Sequence, residues 1–365
     1  MGDTYIVAEI GTAHGGDVDR AADLITAAAE SGADCAKFQY VIAHEIVHPN
    51  SGLVDLPGGP VPIYDRFKSL ERAPAFYLEL RALCDRREID FLCTPFGIES
   101  MHALLRIGVS RLKIASPEIN HTALLRTARE SGVPTIVSTG VSRLSDIEYA
   151  VCALKPVPVT LLHCVTAYPA PETDYNLRLI PSLTRIFGVP VGLSDHSLDP
   201  ALVPGLAVAL GAPIVEKHFT LDRSAGGMDD PIAMDPAMFT QMAATIRRID
   251  AILSLDPAGG REKVLGEFAA EYGSERVRSV LGDGVKRLAA SEESNYATTR
   301  RSIVAVRDRS TGTVVGTEDV AVLRPEKNLS PGIEPRYLDD VIGALLSEPI
   351  SAGAGVQWSH LIRTG

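Results

Sequence analysis

The sequence predicts an α/β fold, a (β/α)8 TIM barrel followed by a small, mostly-β domain. Apolar runs of strand length alternate with amphipathic runs of helix length from Tyr5 to about Leu253, the pattern of a parallel sheet wrapped by helices. Eight such units are present, the number at which a parallel sheet closes on itself. From Arg300 the texture changes to short β-like runs broken by turns.

Taken in order, the strands are expected over 5–10, 35–39, 90–93, 112–115, 135–138, 159–164, 189–193 and 214–217. Helices are expected between them over stretches such as 20–30, 75–85 and 122–130, with another at 236–251. Residues 40–72 lack a clear period and hold Pro49, Gly52, Pro57, Gly58, Gly59, Pro60 and Pro62. They read as a long loop, and a loop of that length after a barrel strand is usually functional. Three segments follow: a catalytic barrel over 1–255, a helical linker over 256–298 crossing to another body, and a second domain over 299–365. That domain, with β-like runs at 302–306, 314–315 and 321–323, is small enough to need a partner surface.

Bulk properties bound the function. Hydrophobic residues make up 45% of the 365 and charged residues 22%, enough for a sizeable core, with no apolar stretch suited to a bilayer. The opening Met1-Gly2-Asp3-Thr4 enters a strand at once without a signal-peptide pattern, so cytoplasm is the expected compartment. Cys35, Cys84, Cys93, Cys152 and Cys164 are odd in number and show no CxxC spacing, as reduced core thiols would. A net charge of −11 argues against nucleic acid, which needs a basic face, while leaving room for a small anionic substrate.

Two histidines sit in short frames, Ser194-Asp195-His196-Ser197 and Glu216-Lys217-His218-Phe219-Thr220, each closing a strand-like run. Neighbouring barrel strands would aim both imidazoles into one mouth, where two nitrogen ligands hold a divalent ion and leave positions for substrate and water. The polar residues expected at that mouth are Glu9, Lys37, Gln39, Thr94, Lys113, Ser116, Glu118, Ser138, Thr139, His163, Tyr168, Ser194, Asp195, His196, Lys217 and His218. Lys37 and Lys113 each lie in a buried run, so an anionic ligand or an acidic neighbour must accompany each ammonium. Thr94, Ser116, Ser138 and Thr139 add donors suited to phosphate oxygens, although such residues also cap helices that follow strands. Glu9 and Glu118 are candidate acid/base groups; a carboxylate at a helix N-terminus is the plainer reading of Glu118.

These residues carry a resemblance. The ordered motifs Ala8-Glu9-Ile10-Gly11, Lys37-Phe38-Gln39, Thr94-Pro95-Phe96, Lys113-Ile114-Ala115-Ser116-Pro117-Glu118, Ser138-Thr139-Gly140, Leu162-His163-Cys164, Tyr168-Pro169, Leu193-Ser194-Asp195-His196 and Glu216 to Asp222 resemble the sialic acid (N-acetylneuraminate) synthase family. Arg324-Pro325 and Gly332-Ile333 resemble its C-terminal antifreeze-like (SAF, β-clip) domain. The resemblance implies condensation of phosphoenolpyruvate with a 2-acetamido sugar such as N-acetylmannosamine, giving a nine-carbon 2-keto acid and phosphate. It further implies Mn2+ or Mg2+ on His196 and His218. Phosphoenolpyruvate would lie against Lys37, Thr94, Lys113, Ser116, Ser138 and Ser194, the sugar along Gln39, Tyr168 and Asp229, with Glu9 and Glu118 near the reacting carbons. Arg324 would reach a partner's site in a domain-swapped homodimer.

Departures from the family pattern gather on the sugar side: Ala13 before His14, Gly227-Met228-Asp229 with Ala233 beyond, and a lengthened run from Arg324 to Gly332. Thr166 to Pro171, Leu221 to Ser224 and Pro335 to Leu338 are nearer the pseudaminic acid synthase branch. The alternative acceptor is therefore a 2,4-diacetamido-trideoxy hexose, for a pseudaminic or legionaminic acid synthase. From another class comes a sugar-binding relative without turnover.

Overall fold

A computed structural model describes residues 3–56 and 59–362; Met1, Gly2, Pro57, Gly58 and the last three residues of the expected second domain lie outside them. Eight parallel strands form the barrel: β1 (Tyr5–Gly11), β2 (Cys35–Tyr40), β3 (Asp90–Pro95), β4 (Leu112–Ile114), β5 (Thr135–Ser138), β6 (Val159–Cys164), β7 (Val191–Asp195) and β8 (Ile214–His218). Their hydrogen-bonded order is β3-β2-β1-β8-β7-β6-β5-β4, and β3 and β4, the two ends, stand side by side to complete the ring. The seventh strand begins and ends two residues later than the sequence suggests, because Val189-Pro190 precedes the ladder.

Alternation along the strands sorts every side chain. Ile6, Ala8, Ile10, Phe38, Leu112, Ile114, Val137, Leu161, Leu193 and Val215 face outward into the core shared with the helices. Their inward neighbours Val7, Cys35, Leu92, Ile136 and Leu162 plug the bottom of the barrel. One step further along the same inward rows come Glu9, Lys37, Thr94, Lys113, Ser138, Cys164, Ser194 and Glu216, all lining a cavity above that plug. Gly192 stands on the inward row of β7, where a Cβ would come within 2.4 Å of the Ile214 carbonyl; only glycine lets β7 and β8 close that tightly.

The helices expected between strands form as Val18–Glu30, Pro74–Arg86 and Thr122–Ser131, and the last barrel helix as Pro236–Leu255. Three begin with an Asp or His side chain accepting a backbone N–H of the first turn, Asp17 from Arg20, His121 from Leu124 and Asp235 from Met238.

The expected long loop is instead largely ordered. It holds a turn of helix (Ala43–Ile46), a hairpin (Leu53–Leu56 with Gly59–Pro62) and a helix (Ile63–Leu70). Val41, Ile46, Val47, Ile63, Leu70 and Phe96 bury one another there in a satellite core, which supplies the stability that Pro and Gly content concealed.

The segment read as a linker is helical over Pro257–Tyr272 and Ser274–Leu281 and irregular from there to the 3-10 turn Ala290–Glu292. It does not leave the barrel: Val264, Phe268, Val277, Val280 and Leu281 pack in the main core, and the carbonyls of Val280 and Leu281 accept the N–H groups of Leu177 and Arg178. Beyond it, strands Ser302–Ala305 and Val320–Leu323 pair antiparallel, as do Leu345–Leu346 and Leu361–Ile362. Val314 contributes only an isolated bridge to Leu345. A separate small core of Ile303, Ala305, Val315, Ile333, Val341, Leu346, Ile350 and Val356 holds this domain together. No helix among the described residues is long and apolar enough to cross a membrane.

Candidate active site

The cavity at the strand C-termini measures about 630 Å³. Of the residues expected at a ligand, it is lined by Glu9, Lys37, Gln39, Thr94, Lys113, Ser116, Ser138, Tyr168, Ser194, His196, His218, Asp229 and Arg324. Its floor is a compact charge network. Lys37 Nζ lies 2.6 Å from Glu9 and 3.5 Å from Glu216, and also donates to Thr94 Oγ1 at 3.3 Å. Lys113 Nζ donates to Ser138 Oγ at 2.7 Å and stands 3.7 Å from Glu216. Ser194 Oγ donates to Glu216 at 3.0 Å, and Gln39 donates to Glu9 at 2.8 Å.

Burial and pairing set the charges. Burial works against the Lys37 ammonium, but Glu216 and Glu9 together raise its pKa above the ordinary lysine value. Burial wins at Lys113, whose pKa is lowered despite Glu216, with Lys37 adding repulsion. Burial also works against the Glu216 carboxylate, yet Lys113 and Lys37 hold its pKa down at about 2. Two cations thus share one buried carboxylate between them, poised to exchange part of that pairing for an incoming anion.

Across the cavity the His196 and His218 rings stand with centroids 5.4 Å apart. His196 Nδ1 donates to the Val165 carbonyl at 2.8 Å, which leaves Nε2 as the free donor atom. Burial opposes a charge on His196, while the Cys164 sulfur beside it favours one and raises its pKa to about 9; metal binding at Nε2 would displace that proton. At His218 burial lowers the pKa, although Asp229, 3.9 Å from Nδ1, pulls the other way. Among the described residues no group of three His, Cys, Asp or Glu side chains could hold a metal ion. His196 and His218, side by side in the cavity, are the nitrogen pair that could hold a divalent ion, with its remaining positions left to substrate and water. The Tyr168 ring packs 4.3 Å from His196, centroid to centroid.

Four expected mouth residues lie elsewhere. Asp195 and Lys217 occupy outward positions on β7 and β8 and pair with each other at 2.6 Å, each almost fully buried. His163, likewise outward on β6, bonds the Tyr175 carbonyl. Thr139 is buried against the Leu162 carbonyl. A strand-end motif supplies polar residues to both faces, and only strand phase separates them.

Glu118 is also corrected. It is fully buried in the 3-10 turn Ser116–Glu118, ion-paired to both Arg301 and Arg324, and does not line the cavity. Burial alone would raise its pKa, but Arg301 and then Arg324 lower it. A carboxylate neutralised by two guanidiniums is no proton carrier; it positions Arg324. That arginine enters the mouth of its own chain. The route is short because Arg300 binds Asp146 and Arg301 also binds the carbonyls of Glu45, Ile46, Val322 and Phe96, so the domain leaves the barrel at the rim it covers.

Sequence reasoning missed Glu216, although it lies in the second histidine frame, two residues before His218 and hence on the same inward row. It also missed the cavity residues Thr166, Asn295, Thr299, Glu326 and Lys327, which no local pattern marks. Ile46, Val54, Ile63, Phe67 and Leu70 make one wall of the cavity apolar. Ala13, Met228 and Ala233, the departures on the sugar side, line one adjoining cleft with Glu9, His218 and Asp229.

A barrel whose mouth joins two buried ammonium groups, a carboxylate pair and two convergent imidazoles, covered by a β domain that inserts an arginine, defines an anion-handling enzyme. The profile described as the NeuB family matches residues 24–256 and that of the SAF domain residues 300–362. The chain belongs to the NeuB family and is a synthase. It is 34% identical to the N,N'-diacetyllegionaminic acid synthase of Legionella pneumophila, over 98% of this chain and 94% of that one. The crystal structure of the spore coat polysaccharide biosynthesis protein SpsE from Bacillus subtilis superposes with a TM-score of 0.81 at 31% identity, covering 100% and 96%. That of an N-acetylneuraminic acid synthetase from Leptospira borgpetersenii, in complex with citrate, is 33% identical over 80% and 90%, with a TM-score of 0.61.

Proposed function

We propose that this chain condenses phosphoenolpyruvate with an acetamido sugar to give a nonulosonic acid and inorganic phosphate. The observation that carries it is the floor: Lys37 and Lys113, both buried, share Glu216 at 3.5 and 3.7 Å and face two imidazoles across one cavity.

In this reading the phosphate and carboxylate of phosphoenolpyruvate settle against Lys37, Lys113, Thr94, Ser116, Ser138 and Ser194. They replace part of the charge that Glu216 and Glu9 supply in the free protein. The enol carbon attacks the open-chain aldehyde, water adds to the resulting cation, and phosphate departs by carbon–oxygen cleavage. A divalent ion, Mn2+ or Mg2+, held by His196 and His218 would supply Lewis acidity at the aldehyde oxygen. Glu9, held by Lys37 and Gln39, is placed to accept the proton that the added water loses. The lysines stabilise charge on the leaving phosphate in a site shielded from water. Gln39, Tyr168, Asp229 and Arg324 line the acceptor end. The buried unpaired thiols Cys35, Cys84, Cys93 and Cys164 support a reducing, cytoplasmic setting.

Two acceptors compete, N-acetylmannosamine and a 2,4-diacetamido-trideoxy hexose of the legionaminic or pseudaminic type. The apolar wall of Ile46, Val54, Ile63, Phe67 and Leu70 favours the second, because a 6-methyl group and a second acetamido methyl gain from burial there, whereas free hydroxyls would lose hydrogen bonds to water. The likeness to the Legionella enzyme supports the same choice. The test is phosphate release from phosphoenolpyruvate with manganese against both acceptors, with His196→Ala and Lys113→Ala as controls. Release with the diacetamido sugar well above N-acetylmannosamine supports this acceptor, and the reverse order refutes it. No release with any acetamido sugar refutes the synthase chemistry.

A further inference from the structure

Glu292 closes the 3-10 turn Ala290–Glu292 beyond the last long helices, and no part of the proposed chemistry uses it. The residue is 1% exposed, and the buried Lys286 attracts it electrostatically, but its short hydrogen bonds do not go to that ammonium. Instead Oε1 accepts the backbone N–H of Val141 and that of Thr166, each at 2.7 Å, while Oε2 accepts from Ala289 at 3.3 Å. One carboxylate oxygen thus joins the loop after β5 to the loop after β6, two segments that share no ladder at that level.

Both loops carry cavity residues. Val141 follows Ser138-Thr139-Gly140, and Ser138 accepts from Lys113. Gly140 donates to Ser116 Oγ at 2.9 Å, and a Cβ there would fall 2.0 Å from Thr166 Oγ1, so the two loops touch. Thr166 itself lines the cavity, two residues before Tyr168. Val141 is fully buried with φ at 41°, a left-handed conformation that a β-branched residue adopts only when its surroundings hold it there. The bond to Glu292 is made by the N–H of that strained residue.

We propose that Glu292 is a positioning residue, a strut that locks the Ser138–Val141 and Thr166 loops in register so that Ser138, Ser116 and Lys113 present one surface to the phosphoenolpyruvate phosphate. The inference rests on the proposed synthase reading for the identity of that ligand. The carboxylate suits the task because a charged acceptor takes two N–H groups at once with stronger bonds than a neutral one. Its place in the chain is fixed by its neighbours: the Tyr296 hydroxyl and the Arg300 guanidinium both bind Asp146 at the start of the helix Leu144–Leu154.

The experiment compares wild type with Glu292→Ala and Glu292→Gln. Amide exchange at Val141 and Thr166, calorimetric phosphoenolpyruvate affinity, and the KM of each substrate are measured on the metal-loaded full chain. Expected are faster exchange at both amides and phosphoenolpyruvate affinity about tenfold weaker or worse in Glu292→Ala, as loss of charge-assisted bonds implies. The acceptor KM should rise less than the phosphoenolpyruvate affinity falls, and Glu292→Gln should fall between. Faster exchange with unchanged phosphoenolpyruvate affinity would overturn the positioning role, as would equal losses for both substrates. If Glu292→Ala does not fold, the nearly isosteric Glu292→Gln carries the same comparison. Wild type that binds phosphoenolpyruvate but releases no phosphate would refute the synthase reading alone, since exchange and affinity still judge the strut.

Discussion

Replacing Glu118 with glutamine removes the carboxylate that two buried guanidiniums share, leaving Arg324 only Glu326 at 3.9 Å. Arg301 is fully buried and Arg324 nearly so, and both reach the same group, one through each oxygen. Leaving a buried charge unpaired costs about 3–5 kcal/mol. The lower end applies because Arg301 keeps four backbone carbonyls as acceptors and glutamine retains one oxygen. For a chain of 365 residues about 3 kcal/mol corresponds to a fall in melting temperature of roughly 4 °C. The damage should be local, with limited proteolysis cutting first between the barrel and the C-terminal domain. Acid supplies an independent check. Glu118 has a folded-state pKa below its unfolded value, so its contribution is complete above about pH 4.3 and is lost as pH falls through the folded pKa. Thermal melts of wild type and variant should therefore differ at neutral pH and converge in acid. Equal melting temperatures at neutral pH, with unchanged proteolysis, would refute the view that this carboxylate holds the two domains together.

Glu216→Gln should destabilise the free protein, since each of its lysine pairings is a buried Coulomb attraction on the order of 4–5 kcal/mol before desolvation is subtracted, while enlarging the rise in melting temperature that phosphoenolpyruvate produces; a smaller rise than in wild type would contradict the charge-exchange account. Burial lowers the Lys113 pKa, so phosphoenolpyruvate affinity should decline as pH climbs toward the ordinary lysine value, and Lys113→Arg, which stays charged, should flatten that decline whatever its absolute affinity. Matching pH profiles for the two proteins, measured by calorimetry, would show that another group sets the alkaline limb.

The sequence by itself determined the strand–helix alternation, the eight-fold count, the change of texture at Arg300 and the residues Lys37, Lys113, His196 and His218, because these follow from local periodicity and from the rarity of charge in apolar runs. Tertiary structure alone decided which polar strand-end residues face the cavity. Asp195 and His196 are adjacent in sequence, yet the pleat sends one to a buried pair with Lys217 and the other into the mouth. Glu216 acquires meaning only when ring closure brings β2, β4 and β8 around it. Glu118, read as chemical, became a clasp because Arg301 and Arg324 arrive from some two hundred residues away. Glu292 carries no local signature at all: its partners are backbone N–H groups, which every residue but proline possesses, and only their convergence in space selects a carboxylate there.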